Sequence, residues 1–548
     1  MIKNKELTGI ILSAGKVHES LYPIFGEINT GLIPVKSKPA ILYILDQYKN
    51  IGIKDVFISV GYDKERLSEV ILATHGKEIN IHFVEVDYKK KPGLSLLKVI
   101  NEITKQKTEN EFYTNVLVTL ADTIAFYDTE KVINQGTTVL VSNDFDITDY
   151  WCRLKVDEYG NVERFYEKNI KNDSNLALVG GYYLEKTEIF NELEENNYEI
   201  SDLLKVYMEK GNEIKIAKVD KWFDTGHLSK YYRSKKELLS SRFFNSFKYD
   251  DMLGIVRKES SNVKKLRNEI LWFESVPKEL KALIPKILDY KLDGNVYVEM
   301  EYYGYPTLSE LWIYGNLSEN IWKSILDRLI YVLNLFRNFP GTVSEESYKD
   351  IYLEKTFSRI REIKFLNPAV KKLLDYDYIY INGKKNYGWS FFETKLEDLI
   401  NDLYDEKDNN IIHGDLCFSN ILFDLNNGII RLIDPRGDWG NNIIYGDIKY
   451  DVAKLRHSIA GKYDFIVNDL FVYKLEEQNI ELTFKLTNEI HENVSQLFDE
   501  YIDKYYDIKK IKLIEGLLFI SMLPLHNDCF NRQIAMLSRG LEILNEIL

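Results

Sequence analysis

The sequence predicts an α/β chain of two units: a parallel α/β sheet over about residues 1–235, then a unit over 236–548 that opens with a small sheet and becomes mostly helical. Three observations carry this. Residues 1–235 alternate apolar strand-length runs with helix-length stretches, the pattern of parallel strands joined by crossover helices. From about Asn245 short strands replace that alternation, and beyond Leu308 helical periodicity dominates. At 548 residues, 45% hydrophobic and 28% charged, the chain exceeds what one core usually supports and has an ordinary globular composition.

Taken in order, Gly9 to Leu12 reads as an apolar strand, Pro39 to Lys49 as a helix, and Val56 to Val60 and Asn115 to Leu120 as further strands. Ser229 to Phe244, rich in Lys, Arg, Ser and aromatics, reads as a connecting helix or linker. In the second unit Gly254 to Lys258 is a strand, a helical pattern carrying Glu269 follows, and the apolar run Val296 to Val298 leads into Met300-Glu301-Tyr302. Ile421 to Leu425 and Ile429 to Ile433 form two more strands, with Asn426-Asn427-Gly428 supplying the left-handed conformations of a tight hairpin.

Composition narrows the partners. A net charge of −14 repels polyphosphate backbones, so nucleic acid is not expected. No apolar stretch approaches the ~20 residues that span a bilayer, and Met1-Ile2-Lys3-Asn4-Lys5 passes into only a short apolar run. Neither membrane insertion nor a signal peptide is expected. Cys152, Cys417 and Cys529 are too far apart for metal-ligand spacing and odd in number, so a cytoplasmic location is expected.

The segment His413-Gly414-Asp415-Leu416-Cys417-Phe418-Ser419-Asn420, followed by Asp434 across the predicted hairpin, has the spacing of a phosphoryl-transfer loop. A hydroxyl attacking a γ-phosphoryl group needs a carboxylate to orient it and take its proton, and oxygen ligands for magnesium. Asp415 is the candidate base; Asn420 and Asp434, at neighbouring ends of the hairpin, are the candidate ligands. Lys258 is placed to reach the α and β phosphates of ATP, Glu269 to hold it by an ion pair, and Glu301 to sit at the hinge against the adenine. Lys264 and Lys265 compete with Lys258 for that role.

In the first unit a strand empties into Leu12-Ser13-Ala14-Gly15, a small-residue loop where backbone amides can approach a nucleotide. Val116 to Ala121 delivers Asp122 at a strand's carboxyl end, where ligands of open α/β sheets gather, and Lys221-Trp222-Phe223 delivers Asp224. One magnesium held by both would neutralise an α-phosphate under attack.

From about Phe243 onward the chain resembles the aminoglycoside phosphotransferase and choline kinase superfamily. The resemblance rests on the His413 to Asn420 segment, on Asp434, and on Gly446-Asp447-Ile448-Lys449-Tyr450-Asp451-Val452-Ala453. It implies a two-lobed, protein-kinase-like fold with Asp415 as base, Asn420 and Asp434 on magnesium, and His413 structural. After Asp434 comes Pro435-Arg436-Gly437-Asp438, where choline kinases carry an acidic or aromatic step. Arg436 either suits a carboxylate or phosphate on the acceptor or pairs with a structural acid, and the balance leans from choline toward a sugar or hydroxy acid.

Residues 1–235 resemble the sugar-phosphate and phosphocholine nucleotidyltransferases, of the GT-A-like, Rossmann-related fold. Ala14 through Leu21, Pro23, Leu32, Pro34, Val35, Lys38 and Pro39 follow the family's opening signature without a gap, and Glu167-Lys168 and Val179-Gly180-Gly181-Tyr182-Tyr183 follow two later segments. The resemblance puts Ala14 and Gly15 at the nucleotide, Lys168 on the substrate phosphate, and Asp122 and Asp224 on the metal. It also exposes departures. The glycine-rich turn reads Gly15-Lys16-Val17-His18, the family's catalytic arginine is Ser20, and its Pro-Lys pair is Asn29-Thr30. Removing one such preorganised cation costs on the order of 10²- to 10³-fold in rate. Either Lys16, Lys36 or Lys38 compensates from the same loop, or the unit binds without turnover.

Together the resemblances imply a bifunctional enzyme of surface polysaccharide biosynthesis. One half would phosphorylate a small alcohol or sugar with ATP and magnesium, and the other would couple that phosphate to a nucleoside from an NTP, CTP among the candidates. The alternative is a small-molecule kinase carrying a non-catalytic nucleotide- or sugar-phosphate-binding first domain.

Overall fold

A computed structural model describes residues 7–106, 115–143, 151–168, 170–240, 247–250 and 252–548. The chain divides into two compact units, Met1–Leu238 and Leu239–Leu548.

Besides the short pair Pro34–Val35 and Lys38–Pro39, the strands of the first unit are β1 (Leu7–Ser13), β2 (Asp55–Val60), β3 (Asn80–Glu85), β4 (Asn115–Leu120), β5 (Thr123–Phe126), β6 (Thr138–Ser142), β7 (Arg153–Val156), β8 (Val162–Tyr166), β9 (Ala177–Leu184), β10 (Lys215–Lys218) and β11 (Lys221–Asp224). Its main sheet runs β8-β7-β9-β4-β1-β2-β3, with β6 pairing β9 and β10 pairing β6. The predicted parallel sheet is therefore only part of the result. β3, β2, β1 and β4 are parallel, but β9 lies antiparallel to β4 and turns the rest of the sheet into a mixed one. Central β1 is buried almost throughout, as a strand covered on both faces must be. The helix α1 (Ala40–Asn50) brings Tyr48 over Gly9, where a Cβ would stand 2.6 Å from the ring. The helix α2 (Pro92–Gln106) opens on proline and buries Leu96, Leu97, Val99, Ile100 and Ile103 against Ile10, Val116 and Val118.

β9 carries a bulge between Leu178 and Tyr182, with Gly180 at φ +93°. Four steps on β9 here oppose two on β6, and Val179 and Gly180 within this stretch line the cleft described below. The expected connector is the helix α3 (Leu228–Ser240); the rest of Ser229 to Phe244 lies outside the described residues.

The second unit opens on an antiparallel sheet of β12 (Phe247–Asp250), β13 (Ile255–Glu259), β14 (Ile287–Lys291) and β15 (Tyr297–Glu301), in the order β12-β13-β15-β14. Between β13 and β14 runs α4 (Val263–Ser275), capped by Asn262 and burying Leu266, Glu269, Ile270, Trp272 and Phe273. Farther along lie α5 (Lys355–Leu366) and a second four-stranded sheet, built from β16 (Tyr378–Ile381), β17 (Lys384–Tyr387) and two later strands, Phe471–Glu476 and Asn479–Phe484. That sheet corrects the expectation of a helical region broken only by one hairpin. Asn382 and Gly383, both left-handed at φ +49° and +77°, close β16 onto β17 as a two-residue Asn-Gly turn.

The predicted hairpin is β18 (Ile421–Asp424) with β19 (Ile429–Leu432). Of its expected left-handed residues only Gly428 is one, at φ +65°. Asn426 and Asn427 instead donate backbone N–H groups to the Asp424 carboxylate, so a side-chain cap does the work assigned to backbone conformation. The helix α6 (Ile448–Ile459) follows, N-capped by Asp447 and buried along its whole length. Among the described residues no helix is long and apolar enough to cross a membrane.

Candidate functional site

In the first unit β4 ends at Leu120 and the chain turns at once into β5, which carries β11 antiparallel with Asp224 opposite Thr123. This brings Asp122 and Asp224 together. A Cβ on Gly226 would stand 2.9 Å from Asp122 Oδ2 and 3.3 Å from Asp224 Oδ1, so both carboxylates converge where glycine leaves room. Desolvation raises the pKa of Asp122; desolvation and then the Asp122 charge push Asp224 up to about 7. Two carboxylates that resist ionising side by side are a donor set that a divalent cation relieves. Among the described residues no group of three or more His, Cys, Asp or Glu side chains is arranged to hold a metal. Two carboxylates nevertheless suit magnesium, which keeps waters and binds substrate phosphates.

The pair opens on a cleft of about 630 Å³, lined also by Lys16, His18, Thr30, Lys168 and His227. Neither Ala14 nor Gly15 lines it: the Ala14 carbonyl accepts from Tyr62 N–H and the Gly15 carbonyl from Thr30 N–H, at 2.9 and 3.1 Å. At the departures from the family signature, Ser20 Oγ lies 2.9 Å from His18 Nδ1, and Thr30 hydrogen-bonds the Asp122 carboxylate. Asn29 is fully buried. Its Nδ2 donates to the carbonyls of Ser13 and Tyr62, at 2.7 and 2.9 Å, and its Oδ1 accepts from Ser13 Oγ and Gly31 N–H, at 2.9 and 2.8 Å. Of the three lysines that could compensate, Lys16 lines the cleft but is paired with Glu27 at 3.0 Å. Lys38 is paired with Asp46, and neither it nor Lys36 lines the cleft.

Sequence reasoning missed the two histidines. The rings of His18 and His227 lie 4.4 Å apart at the mouth of the carboxylate pair, and burial, then His18, lower the pKa of His227. The signal was its position three residues beyond Asp224.

In the second unit Lys258 leaves β13 with its side chain only 13% exposed. Its Nζ donates to Glu269 Oε1 and Oε2 at 2.9 and 2.8 Å and to Asp434 Oδ1. Burial opposes charge on Lys258, but Asp434 and Glu269 outweigh it and raise its pKa. Burial in turn pushes Glu269 up to about 7. Lys264, by contrast, is 83% exposed and 4.0 Å from Asp438. Glu301 lies at the end of β15, its carboxylate accepting from Tyr303 Oη at 2.8 Å.

The hairpin brings the remaining candidates into one cluster. Ile433 N–H donates to the Asn420 carbonyl at 3.0 Å, so Asn420 and Asp434 adjoin across the strand ends. Asn420 Nδ2 donates to the carbonyl and carboxylate of Asp415 at 2.9 and 3.0 Å, and its Oδ1 makes no hydrogen bond among the described residues. An amide oxygen with no hydrogen bond, on a residue adjoining Asp434, and the Asp434 carboxylate are a hard-oxygen pair of the kind that fits magnesium. Asp434 itself is left-handed, at φ +56°.

Two further residues shape this cluster. Lys454 of α6 pairs with Asp415 at 2.9 Å; burial would raise the Asp415 pKa, but Lys454 holds it down at about 2. Asp451, one turn earlier, accepts the backbone N–H groups of His413 and Gly414 at 2.6 and 2.8 Å and so fixes the loop. His413 is fully buried against Trp272, and burial lowers its pKa to about 4, so it is a neutral packing group.

Residues 8–241 match the Nucleotidyl transferase family. This part of the chain is similar to a UTP–glucose-1-phosphate uridylyltransferase of Haloferax volcanii, 23% identical over 235 residues that make up 40% of this chain and 92% of the relative. It is also similar to a D-glycero-alpha-D-manno-heptose 1-phosphate guanylyltransferase of Campylobacter jejuni, 27% identical over 33% of this chain and 77% of the relative. A glucose-1-phosphate thymidylyltransferase of Neisseria gonorrhoeae is 28% identical over 40% of this chain and 78% of its own. With the α/β sheet and the paired aspartates already in view, the first unit is a nucleotidyltransferase domain.

Proposed function

We propose that the chain makes a nucleotide-activated sugar in two steps. In the second unit a sugar hydroxyl oxygen bonds to the γ-phosphorus of ATP as the bond to the bridging oxygen breaks; the electron pair leaves with ADP and the hydroxyl proton passes to Asp415. In the first unit an oxygen of the sugar phosphate bonds to the α-phosphorus of a nucleoside triphosphate and pyrophosphate leaves. The named relatives act on glucose 1-phosphate or a heptose 1-phosphate. A second unit that makes the first unit's substrate would therefore phosphorylate the anomeric hydroxyl.

The observation that carries the kinase half is Lys258 bridging Glu269 and Asp434 within one cluster that also holds Asn420, Asp415 and Lys454. Lys258 orients the α and β phosphates, Glu269 orients Lys258, Glu301 lies by the adenine, and Asp415, kept ionised by Lys454, receives the hydroxyl. Magnesium, when bound, offsets charge on the phosphates; Asn420 and Asp434 would hold it here, and Asp122 and Asp224 in the first unit. There Lys168 meets the sugar phosphate, and the loop through Ala14 and Gly15 backs the nucleotide.

A second reading is favoured by Ser20 and Thr30, which put no charge where the family has two cations, and by the Glu27 partner of Lys16. In it the first unit binds nucleotide or sugar phosphate without turnover. Incubating the intact chain with ATP and a panel of sugars, then with each NTP, separates the two. Pyrophosphate release after phosphate transfer supports the two-step enzyme; phosphate transfer with nucleotide binding but no pyrophosphate supports the second reading.

A further inference from the structure

Beside Asp415 the second unit concentrates positive charge that the protein does not neutralise. Arg436, two residues past Asp434, is fixed by its own N–H donating to the His413 carbonyl at 2.9 Å and packs where a Cβ on Gly414 would stand 2.7 Å from its Cβ. Its guanidinium donates to Tyr450 Oη at 3.0 Å. Lys355, at the start of α5, hydrogen-bonds the same hydroxyl and lies 5.8 Å from the Tyr450 ring centroid. Lys454 stands one turn along α6 from Tyr450. Of these three cations only Lys454 has a carboxylate partner among the described residues, and that partner is Asp415. Two cations thus share one phenol.

Such a cluster is costly unless an anion completes it. The charges are felt locally. Burial would raise the pKa of Tyr450, yet Lys355, Arg436 and Lys454 lower it; burial, and then Arg436 and Lys454, bring Lys355 down to about 8. We propose that Lys355 and Arg436 form an oxyanion subsite, so that the acceptor carries a carboxylate or phosphate in addition to the hydroxyl presented to Asp415. This rests on the kinase assignment of the unit. It also excludes a quaternary ammonium acceptor, which two cations would repel.

The test measures ATP-dependent transfer by the intact chain to three matched acceptors: a neutral hexose, the corresponding hexuronic acid and the hexose 6-phosphate. Preference of the unaltered chain for one of the two anionic acceptors is expected, and which one identifies the oxyanion. Lys355→Met and Arg436→Gln should each raise KM for that acceptor roughly tenfold or more, the worth of one charge-assisted hydrogen bond. KM for the neutral sugar and for ATP should not move. Transfer that favours the neutral hexose, or variants that raise KM equally for all three, would overturn the subsite while leaving the kinase intact. If no acceptor takes phosphate, and none of the Asp415→Asn controls differs from the parent, the kinase assignment fails and the subsite with it.

Discussion

Lys258 donates to both carboxylate oxygens of Glu269, at 2.9 and 2.8 Å, on a glutamate that is 1% exposed. Burial raises the pKa of this carboxyl, and the facing ammonium opposes that rise. Glu269→Gln should therefore release Lys258 from its position. We expect kcat/KM for ATP to fall on the order of ten- to a hundredfold, read from initial rates, with little change in the thermal midpoint. Unchanged ATP kinetics would remove Glu269 from the site.

On the proposed mechanism, Asp415→Asn keeps the shape of the loop but loses the proton acceptor. Phosphate transfer should drop roughly 10²- to 10⁴-fold, while ATP binding by calorimetry stays near that of the parent, because Lys258, Asn420 and Asp434 are intact. A variant that still transfers phosphate at the parental rate refutes the assignment.

Gly226→Ala inserts a methyl 2.9 Å from Asp122 Oδ2. Overpacking of that kind should weaken magnesium-dependent nucleotide binding by the first unit roughly tenfold, and Asp122→Asn should abolish its metal dependence. Equal affinity with and without magnesium in the parent would show that the two aspartates hold no metal.

Burial pushes the Asp451 carboxyl up to about 7, against the His413 and Gly414 N–H groups that favour its ionised form. Its folded pKa lies above the unfolded value of about 3.9. Between those values the folded chain binds more protons than the unfolded one, so this group's contribution to stability is greatest below about pH 4 and declines as pH rises toward 7. Asp451→Asn should flatten that part of the stability profile, seen as a smaller difference between thermal midpoints at pH 5 and pH 7. An unaltered slope would mean that Asp451 does not titrate there.

Much of this was legible because it is local. His413 to Asn420 and Asp434 are joined by one hairpin, so spacing alone predicts their placement; Asp122 and Asp224, 102 positions apart, are paired in the sequence only by the resemblance and by each following a short apolar strand. What escaped is long-range. Lys454 reaches Asp415 from a helix 39 positions later, and Lys355 meets Tyr450 across 95, separations that no periodicity encodes. The second four-stranded sheet is a different case. Asn382-Gly383 announced one of its hairpins, but β16 and β17 are only four residues each, too short for alternation to stand out. The antiparallel β9 was hidden for a third reason: a strand buried at every position reads the same in either direction.

The Asn29 amide, with all four of its hydrogen bonds made inside the protein, clamps three stretches of loop that a charged signature would otherwise line. None of the four Asn29 hydrogen bonds uses Ser20 or Thr30, so cations could be placed at both positions without breaking that clamp. The same clamp makes Ser20→Arg with Thr30→Lys a pair of substitutions that would add two cations beside the cleft while leaving the Asn29 hydrogen bonds in place.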